Sequence, residues 1–356
     1  MINYRLANED DYTEINNFFN RIYSTNRTME EFHWEFHNGS FGKSIYVIAE
    51  FEGKIVGTNC VIPINIVDKN GNVFKTGKSE DTLVDPDFRG KKIFVNIYDY
   101  LIEVCREEGI LVIWGFSSAI KAFKKIKFSI PFSGKKSLVV NNIPAAYNVL
   151  KGNKQLSFED KVRTLGMCVL GYSKRMLKGK GEIGKEYKVI TTPILDERIE
   201  KLIQRNLGTS NSQFAIQQDS TFQSWRIYDN PNYYKVHSYA IIDKNDNLLG
   251  YILLNSHKNK SAFICQATFD FTVLSDKQII GFLKYIINDM FKQGVVLIRD
   301  FVFDTNDLNM RELKILDQVG FKHFKKGNGL VWREIGSFDF KPEDFYLSRI
   351  ATQGVN

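Results

Sequence analysis

The chain has 356 residues, of which 43% are hydrophobic and 25% charged, and it carries a formal net charge of +7. That length accommodates two domains of ordinary size, the composition excludes a disordered chain, and apolar runs stay short of the ~20 residues that cross a bilayer. No signal-peptide core follows Met1, Cys60, Cys105, Cys168 and Cys265 lack metal-ligand spacing, and no nucleic-acid motif joins the dispersed lysines, so the expectation is a cytoplasmic protein with reduced thiols.

Residues 2–7 read as a strand and 9–22 as a helix with an acidic start. Thr28 caps a second helix over 28–36, with Glu31 three residues later. A strand at 45–51 turns at Glu52-Gly53, and Asp68-Lys69-Asn70-Gly71-Asn72 marks a hairpin between further strands. Leu83-Val84 then runs into an acidic turn, Asp85-Pro86-Asp87, and a basic loop, Phe88-Arg89-Gly90-Lys91-Lys92. Ile93, Ile97, Leu101, Val104 and Cys105 recur at helical spacing behind that loop, and Leu111–Phe116 is a short apolar run suited to a buried strand. Amides at a helix N-terminus attract an anion through unpaired N–H groups and the helix dipole. The unit is therefore a phosphate cradle, and it lacks the Gly-Lys-Ser/Thr ending of a P-loop.

This arrangement resembles the GNAT (Gcn5-related N-acetyltransferase) superfamily, whose acyl-CoA loop follows Arg/Gln-x-x-Gly-x-Gly/Ala between a strand and a helix. Arg89 matches the first position, whereas Lys92 stands at the fourth in place of glycine and Phe94 at the sixth. Ser117–Phe128 is similar to the family's short helix ending in Phe/Tyr-x-Lys-x-Gly-Phe, with Lys127 in place of the glycine. Phe123 falls where many members have the tyrosine that protonates the thiolate, leaving that step to another group, such as water, or to none. The resemblance implies acetyl-CoA as co-substrate, bound by Leu83, Val84, Phe88, Arg89, Gly90, Lys91, Lys92, Ile93, Phe94, Ser117 and Lys121. Lys91, Lys92, Lys121, Lys124 and Lys125 could face the ADP 3′-phosphate.

The chain repeats itself. Phe32-His33-Trp34-Glu35-Phe36, a strand, a turn and Gly57 are echoed by Phe222-Gln223-Ser224-Trp225-Arg226, a strand, a turn and Gly250. Two copies argue for tandem domains. Strand 261–273, helix 278–291, strand 295–303 and helix 307–319 follow, ending on the family's Gly320-Phe321. The fold expected is α/β (α+β): two GNAT-like domains, each a mixed, largely antiparallel twisted sheet flanked by helices. Their limits are 1–136 for the acyl-CoA-binding domain, 137–188 for a helical linker, 189–336 for the second domain and 337–356 for a tail. The second copy has Val273–Gln278 in place of the basic loop, so it reads as acceptor-side or structural. In the linker, a helix over 162–176 with Arg163, Lys174, Arg175 and Lys178 admits a membrane-surface reading, although a bridging helix with solvated lysines is preferred.

Amide formation needs a deprotonated amine and a polarised thioester carbonyl. The resemblance places the carbonyl near a backbone N–H of Leu83-Val84. It makes Asp81 the favoured base, with Glu80 second, and period-2 alternation would turn only one of them into the acceptor cleft. Trp34 and Trp225 read as core anchors rather than substrate stackers. His33 and His37 are four apart on a helix without a third ligand, so no metal is expected. The function expected is acyl-CoA-dependent N-acylation of a primary amine, with an amino sugar of a surface-polysaccharide pathway as the candidate acceptor. The rivals are a degenerate scaffold that binds a ligand or partner, and a Fem-type aminoacyl-tRNA-dependent aminoacyltransferase.

Overall fold

The computed structural model describes residues 1–176, 181–232, 235–324 and 327–351; Lys178 of the expected linker lies outside them. The first half runs β1 (Asn3–Leu6), α1 (Tyr12–Tyr23), α2 (Met29–Phe32), β2 (Ile45–Phe51), β3 (Lys54–Asp68), β4 (Val73–Val84), α3 (Ile93–Glu107), β5 (Val112–Ser117) and α4 (Ile120–Lys125). Next come β6 (Lys135–Val140), α5 (Ile143–Lys151), α6 (Phe158–Met176), β7 (Lys188–Ile190), α7 (Arg198–Gly208), β8 (Phe214–Ile216) and α8 (Ser220–Gln223). The second half continues with β9 (Lys235–Ile242), β10 (Leu248–Ser256), β11 (Ser261–Phe269), α9 (Asp276–Lys292), β12 (Leu297–Val302), α10 (Asp307–Gln318), β13 (Lys322–Phe324) and β14 (Gly329–Glu334). The tail contributes β15 (Phe345–Tyr346).

Local chemistry sets these limits. Thr28 accepts from the Glu31 amide while the Glu31 carboxylate accepts from the Thr28 amide, a reciprocal cap that starts α2. Asp68 Oδ1 accepts from the amides of Asn70 and Asn72, each at 2.8 Å, and closes the β3–β4 turn around Gly71 at φ +84°. On α3, Ile93, Ile97, Leu101 and Cys105 are all buried, as their spacing requires.

Two sheets result. The first has the order β1-β2-β3-β4-β5-β14, with β8 on β3 and β15 on β8; the second has the order β13-β6-β12-β11-β10-β9-β7. Mixed sheets flanked by helices are thus present in both halves. The halves also exchange strands. β6 leaves the first half to lie antiparallel between β12 and β13, and β14 returns from the second half to lie antiparallel to β5. Limits at 136, 188 and 336 along the chain therefore do not coincide with the sheets in space, because residues 137–140 and 329–334 each complete the other half's sheet.

The repeat is visible at the junction. Trp34 and Trp225 each sit in a five-residue π turn, His33–His37 and Ser224–Tyr228. Each indole Nε1 donates to the other tryptophan's carbonyl oxygen at 2.7 Å, and the rings lie 6.1 Å apart. Equivalent residues meeting reciprocally is the signature of a pseudo-two-fold contact. Both indoles are buried, which makes them anchors of the junction.

Each half also has a split between its two parallel strands. β4 pairs with β5 only at Gly77–Ile113 and Lys78–Trp114, and β11 pairs with β12 only over Ser261–Phe263 and Leu297–Arg299. In the second half the chain's own tail fills the split. Asn309 holds Leu347 at both its carbonyl (2.7 Å) and its amide (3.2 Å), and Asn306 Nδ2 donates to the Phe345 carbonyl at 2.7 Å. Only about 30 Å³ remains there, beside Leu347, Ser348 and Arg349. The split in the first half is open.

Candidate active site

A bulge opens that split. Cys60 pairs with Glu80 and Thr58 with Leu83, so Asp81 and Thr82 together oppose Asn59. Asp81 takes the left-handed conformation that this requires, at φ +47°. Strict alternation fails here, so Glu80 and Asp81 both line one cleft of about 690 Å³. The expectation that only one carboxylate would face the cleft is thereby corrected.

The two candidates differ in environment. Asp81 Oδ2 accepts from Arg27 Nη1 at 2.7 Å and from the Tyr46 hydroxyl at 2.8 Å. The Arg27 guanidinium in turn lies 3.7 Å from the Phe19 ring centre. Burial pushes the Asp81 carboxyl up, with the Arg27 charge opposing. Glu80 is ion-paired with Lys78. A third carboxylate lines the same cleft: Glu35, in the π turn, is buried, and its pKa is pushed up to about 7. Burial is the main cause and the Glu80 charge adds to it, while Arg226 and Lys78 pull the other way. Sequence reasoning missed Glu35, although the repeat held the signal. Trp34-Glu35 aligns with Trp225-Arg226, so opposite charges occupy equivalent positions and both are buried.

A second pocket, of about 510 Å³, adjoins the cleft at Phe94, which lines both. Val84, Phe88, Arg89, Gly90, Lys92 and Ile93 form its loop side, and Lys121 and Lys125 face them from α4. No side chain caps α3; Val95 N donates to Lys92 O at 3.1 Å, and the amides of Ile93 and Phe94 stay available to a ligand. In the second half, Ser275 and Gln278 cap α9 reciprocally and satisfy the corresponding donors. Gly90 (φ +85°), Lys92 (φ +61°) and Lys127 (φ +63°) are all left-handed. The two lysines standing in place of family glycines thus keep the glycine-like backbone, at roughly 1–2 kcal/mol each. Phe128 N donates to Phe123 O at 3.1 Å and Lys127 N to Lys124 O at 3.2 Å, a Schellman ending that Gly320-Phe321 repeats in the second half.

The remaining expected residues divide. Lys91 stacks 4.3 Å from the Phe88 ring centre and does not line the pocket; Lys124 does not line it either. Ser117 lines the cleft, and Leu83 is buried in β4. Phe123 borders the cleft, packed between Phe94 and Tyr98. The Tyr98 hydroxyl lies 2.7 Å from Ser79 Oγ and 3.0 Å from Thr82 Oγ1, and both of those residues line the cleft. Arg27 Nη2 and Asn232 Nδ2 are buried donors without a partner among the described residues, on residues that line the cleft. Among the described residues, no group of three or more His, Cys, Asp or Glu is placed to hold a metal ion.

Residues 3–130 match a family model described as an acetyltransferase (GNAT) domain. No curated protein matches the chain in sequence. Solved structures match over nearly its whole length. One is a probable N-acyltransferase from Enterococcus faecalis, with a TM-score of 0.64 at 8% identity, covering 94% of this chain and 73% of that one. A tandem GNAT protein from the clavulanic acid biosynthesis pathway matches with a TM-score of 0.55 at 12% identity, covering 95% and 100%. Saccharomyces cerevisiae N-myristoyltransferase with bound myristoyl-CoA matches with a TM-score of 0.58 at 10% identity, covering 99% and 85%. At such identities the likeness is one of fold, and the sequence match is what names the first domain. Residues 3–130 are a GNAT acetyltransferase domain, and the chain as a whole has the fold of tandem GNAT proteins.

Proposed function

We propose that the protein is an acyl-CoA-dependent N-acyltransferase, acetyl-CoA being the expected donor, whose first half holds the cofactor and whose 690 Å³ cleft takes the amine. The observation carrying this reading is the junction at Phe94, where a cationic pocket at an uncapped helix meets a cleft lined by carboxylates. Arg89, Lys92, Lys121 and Lys125 supply charge for the phosphates, and the first amides of α3 supply donors. The thioester then lies along the open edge of β4, where a backbone N–H near Leu83-Val84 polarises its carbonyl.

Glu35 is the base. Its carboxyl, held near neutrality, takes a proton from the substrate ammonium; the nitrogen attacks the carbonyl carbon, the C–N bond forms and the C–S bond breaks. The second proton, which the attacking nitrogen sheds on becoming an amide, passes along the Ser79–Tyr98–Thr82 hydroxyl chain to the departing thiolate, and the chain so stands in for the tyrosine that Phe123 replaces. Asp81 positions Arg27 and the bulge, and Glu80 raises the proton affinity of Glu35.

The acceptor carries hydroxyls as well as an amine. Thr25, Asn26, Ser117 and Ser118 line the cleft, and Phe19, Tyr23 and Phe116 offer apolar faces to a ring. The unpartnered Arg27 Nη2 and Asn232 Nδ2 call for oxygen acceptors on the ligand. An amino sugar supplies all three features. The left-handed Lys92 and Lys127 weigh against a degenerate scaffold, since the loop keeps its path. The test is thiol release from acetyl-CoA with a panel of hexosamines, nucleotide-linked amino sugars and simple alkylamines. Turnover with the sugars supports the assignment. Cofactor binding without turnover on any amine would overturn it.

A further inference from the structure

The linker helix α6 has two characters. Its inner side is fixed: Cys168 packs with Leu138 and Val140, and Gly171 lies so close to β6 that a Cβ there would meet Leu138 Cδ1 at 2.4 Å. Lys174 pairs with Asp317 at 2.8 Å, and Arg175 Nη1 donates to Asn141 Oδ1 at 2.6 Å. Its outer side is unsatisfied. Phe158, Val162, Leu165, Val169 and Met176 fall at helical spacing on one stripe, and all are exposed, Phe158 by 80% and Met176 by 66%. With Leu170, α6 carries six of the fifteen exposed large hydrophobics among the described residues, on 19 residues of chain. Single exposed apolar residues need no explanation, whereas a contiguous stripe marks a contact.

The surrounding charge selects the contact. Residues 151–176 hold Lys151, Lys154, Lys161 and Arg163 against Glu159 and Asp160, while Lys174 and Arg175 are engaged on the inner side. A second copy docked stripe to stripe would set this basic set against itself, which opposes association. An anionic lipid surface is complementary to both features at once, since it accepts an apolar face into its acyl boundary and basic side chains at its headgroups. No helix among the described residues is long and apolar enough to cross a membrane, so the contact would be interfacial.

We infer that α6 is a membrane-surface helix, docking the protein on anionic phospholipid through the Phe158–Met176 stripe. The bridging role expected of this helix is kept by its inner side; its outer side does the docking. The inference stands independently of the acyltransferase reading.

The experiment is vesicle co-sedimentation of the full chain with phosphatidylcholine alone and with phosphatidylcholine containing phosphatidylglycerol, at low and high salt. Binding is expected on the anionic vesicles, weakened by salt and nearly absent on the neutral ones. The double variant V162E/L165E should abolish binding, and K154Q/K161Q should weaken it roughly thirtyfold. Both variants change exposed side chains, and an unaltered circular-dichroism melt verifies folding. Equal, weak sedimentation with both vesicle types would overturn the inference. So would a concentration-dependent dimer in analytical ultracentrifugation that V162E/L165E dissociates without any vesicle binding by the wild type.

Discussion

Glu35→Gln separates catalysis from stability. The Glu35 carboxyl is lifted from its ordinary 4.5 to about 7, because ionising it means placing a charge in a buried site next to Glu80. At 1.36 kcal/mol per pH unit, that shift corresponds to about 3 kcal/mol. The sign follows from proton counting: between pH 4.5 and 7 the folded state holds a proton that the unfolded state has released, so stability falls as pH rises through this window. Glutamine keeps the shape and removes the ionisation. At pH 8 the variant is expected to gain up to about 3 kcal/mol, less whatever Arg226 loses with its counter-charge; at pH 5 the gain falls below about 1 kcal/mol. The rate moves the other way, with loss of a positioned base lowering kcat about 10²–10⁴-fold and erasing the acid limb near pH 7. Urea unfolding at pH 5 and 8, together with thiol-release kinetics from pH 5.5 to 9, reads both effects. Unchanged kcat with the acid limb intact would refute the assignment of the base, even if the stability gain appeared.

Lys92→Gly should lower acetyl-CoA affinity about tenfold in calorimetric titration, since it removes a phosphate-facing cation while keeping the loop's left-handed turn. Lys91→Ala should leave that affinity unchanged, because its ammonium sits over the Phe88 ring. Asp81→Asn should destabilise the fold by about 3–5 kcal/mol at pH 7, read by urea unfolding, because it strips the buried Arg27 of its partner. In the filled split of the second half, burial pushes Asp300 up to about 7 and Glu312 up to about 8. Both hold protons in the folded state that the unfolded chain releases above about pH 4, so stability should fall between about pH 4 and 8 and then level off. Glu312→Gln should flatten the upper part of that slope.

What the sequence disclosed was local. The Thr28 cap, the Asn-Gly turn, the amphipathic α3 and the basic loop each depend on neighbours a few residues away, and each stands where the spacing put it. The repeat was legible because Trp34 and Trp225 are rare residues in matching surroundings. The losses were non-local. That β6 and β14 change sheets depends on long-range pairings, across about 170 residues between Lys135 and Val302 for one and about 210 between Ser117 and Gly329 for the other. The bulge at Asp81 inserts a residue that no alternation rule foresees, and it is the reason Glu80 and Asp81 share a cleft. Glu35 was hidden by its setting within an apolar helix pattern, where a lone carboxylate reads as a solvent-facing residue until the fold buries it.

The two splits then explain why a duplicated fold carries one site. Each half diverges its parallel strands after a short pairing, and a slot of that kind exposes backbone groups that must find partners. In the second half the tail occupies the slot, its own backbone held at Phe345 and Leu347 by the side chains of Asn306 and Asn309, while Ser275 and Gln278 satisfy the helix start. In the first half neither device is present: α3 starts without a side-chain cap, and the slot opens onto a cationic pocket and a carboxylate cleft. The helix-start amides that the cap satisfies in one half are the ones a cofactor would satisfy in the other. The second half therefore acts on the site from behind, through Arg226 beside Glu35, Asn232 at the cleft wall and the Trp34–Trp225 contact that fixes both π turns.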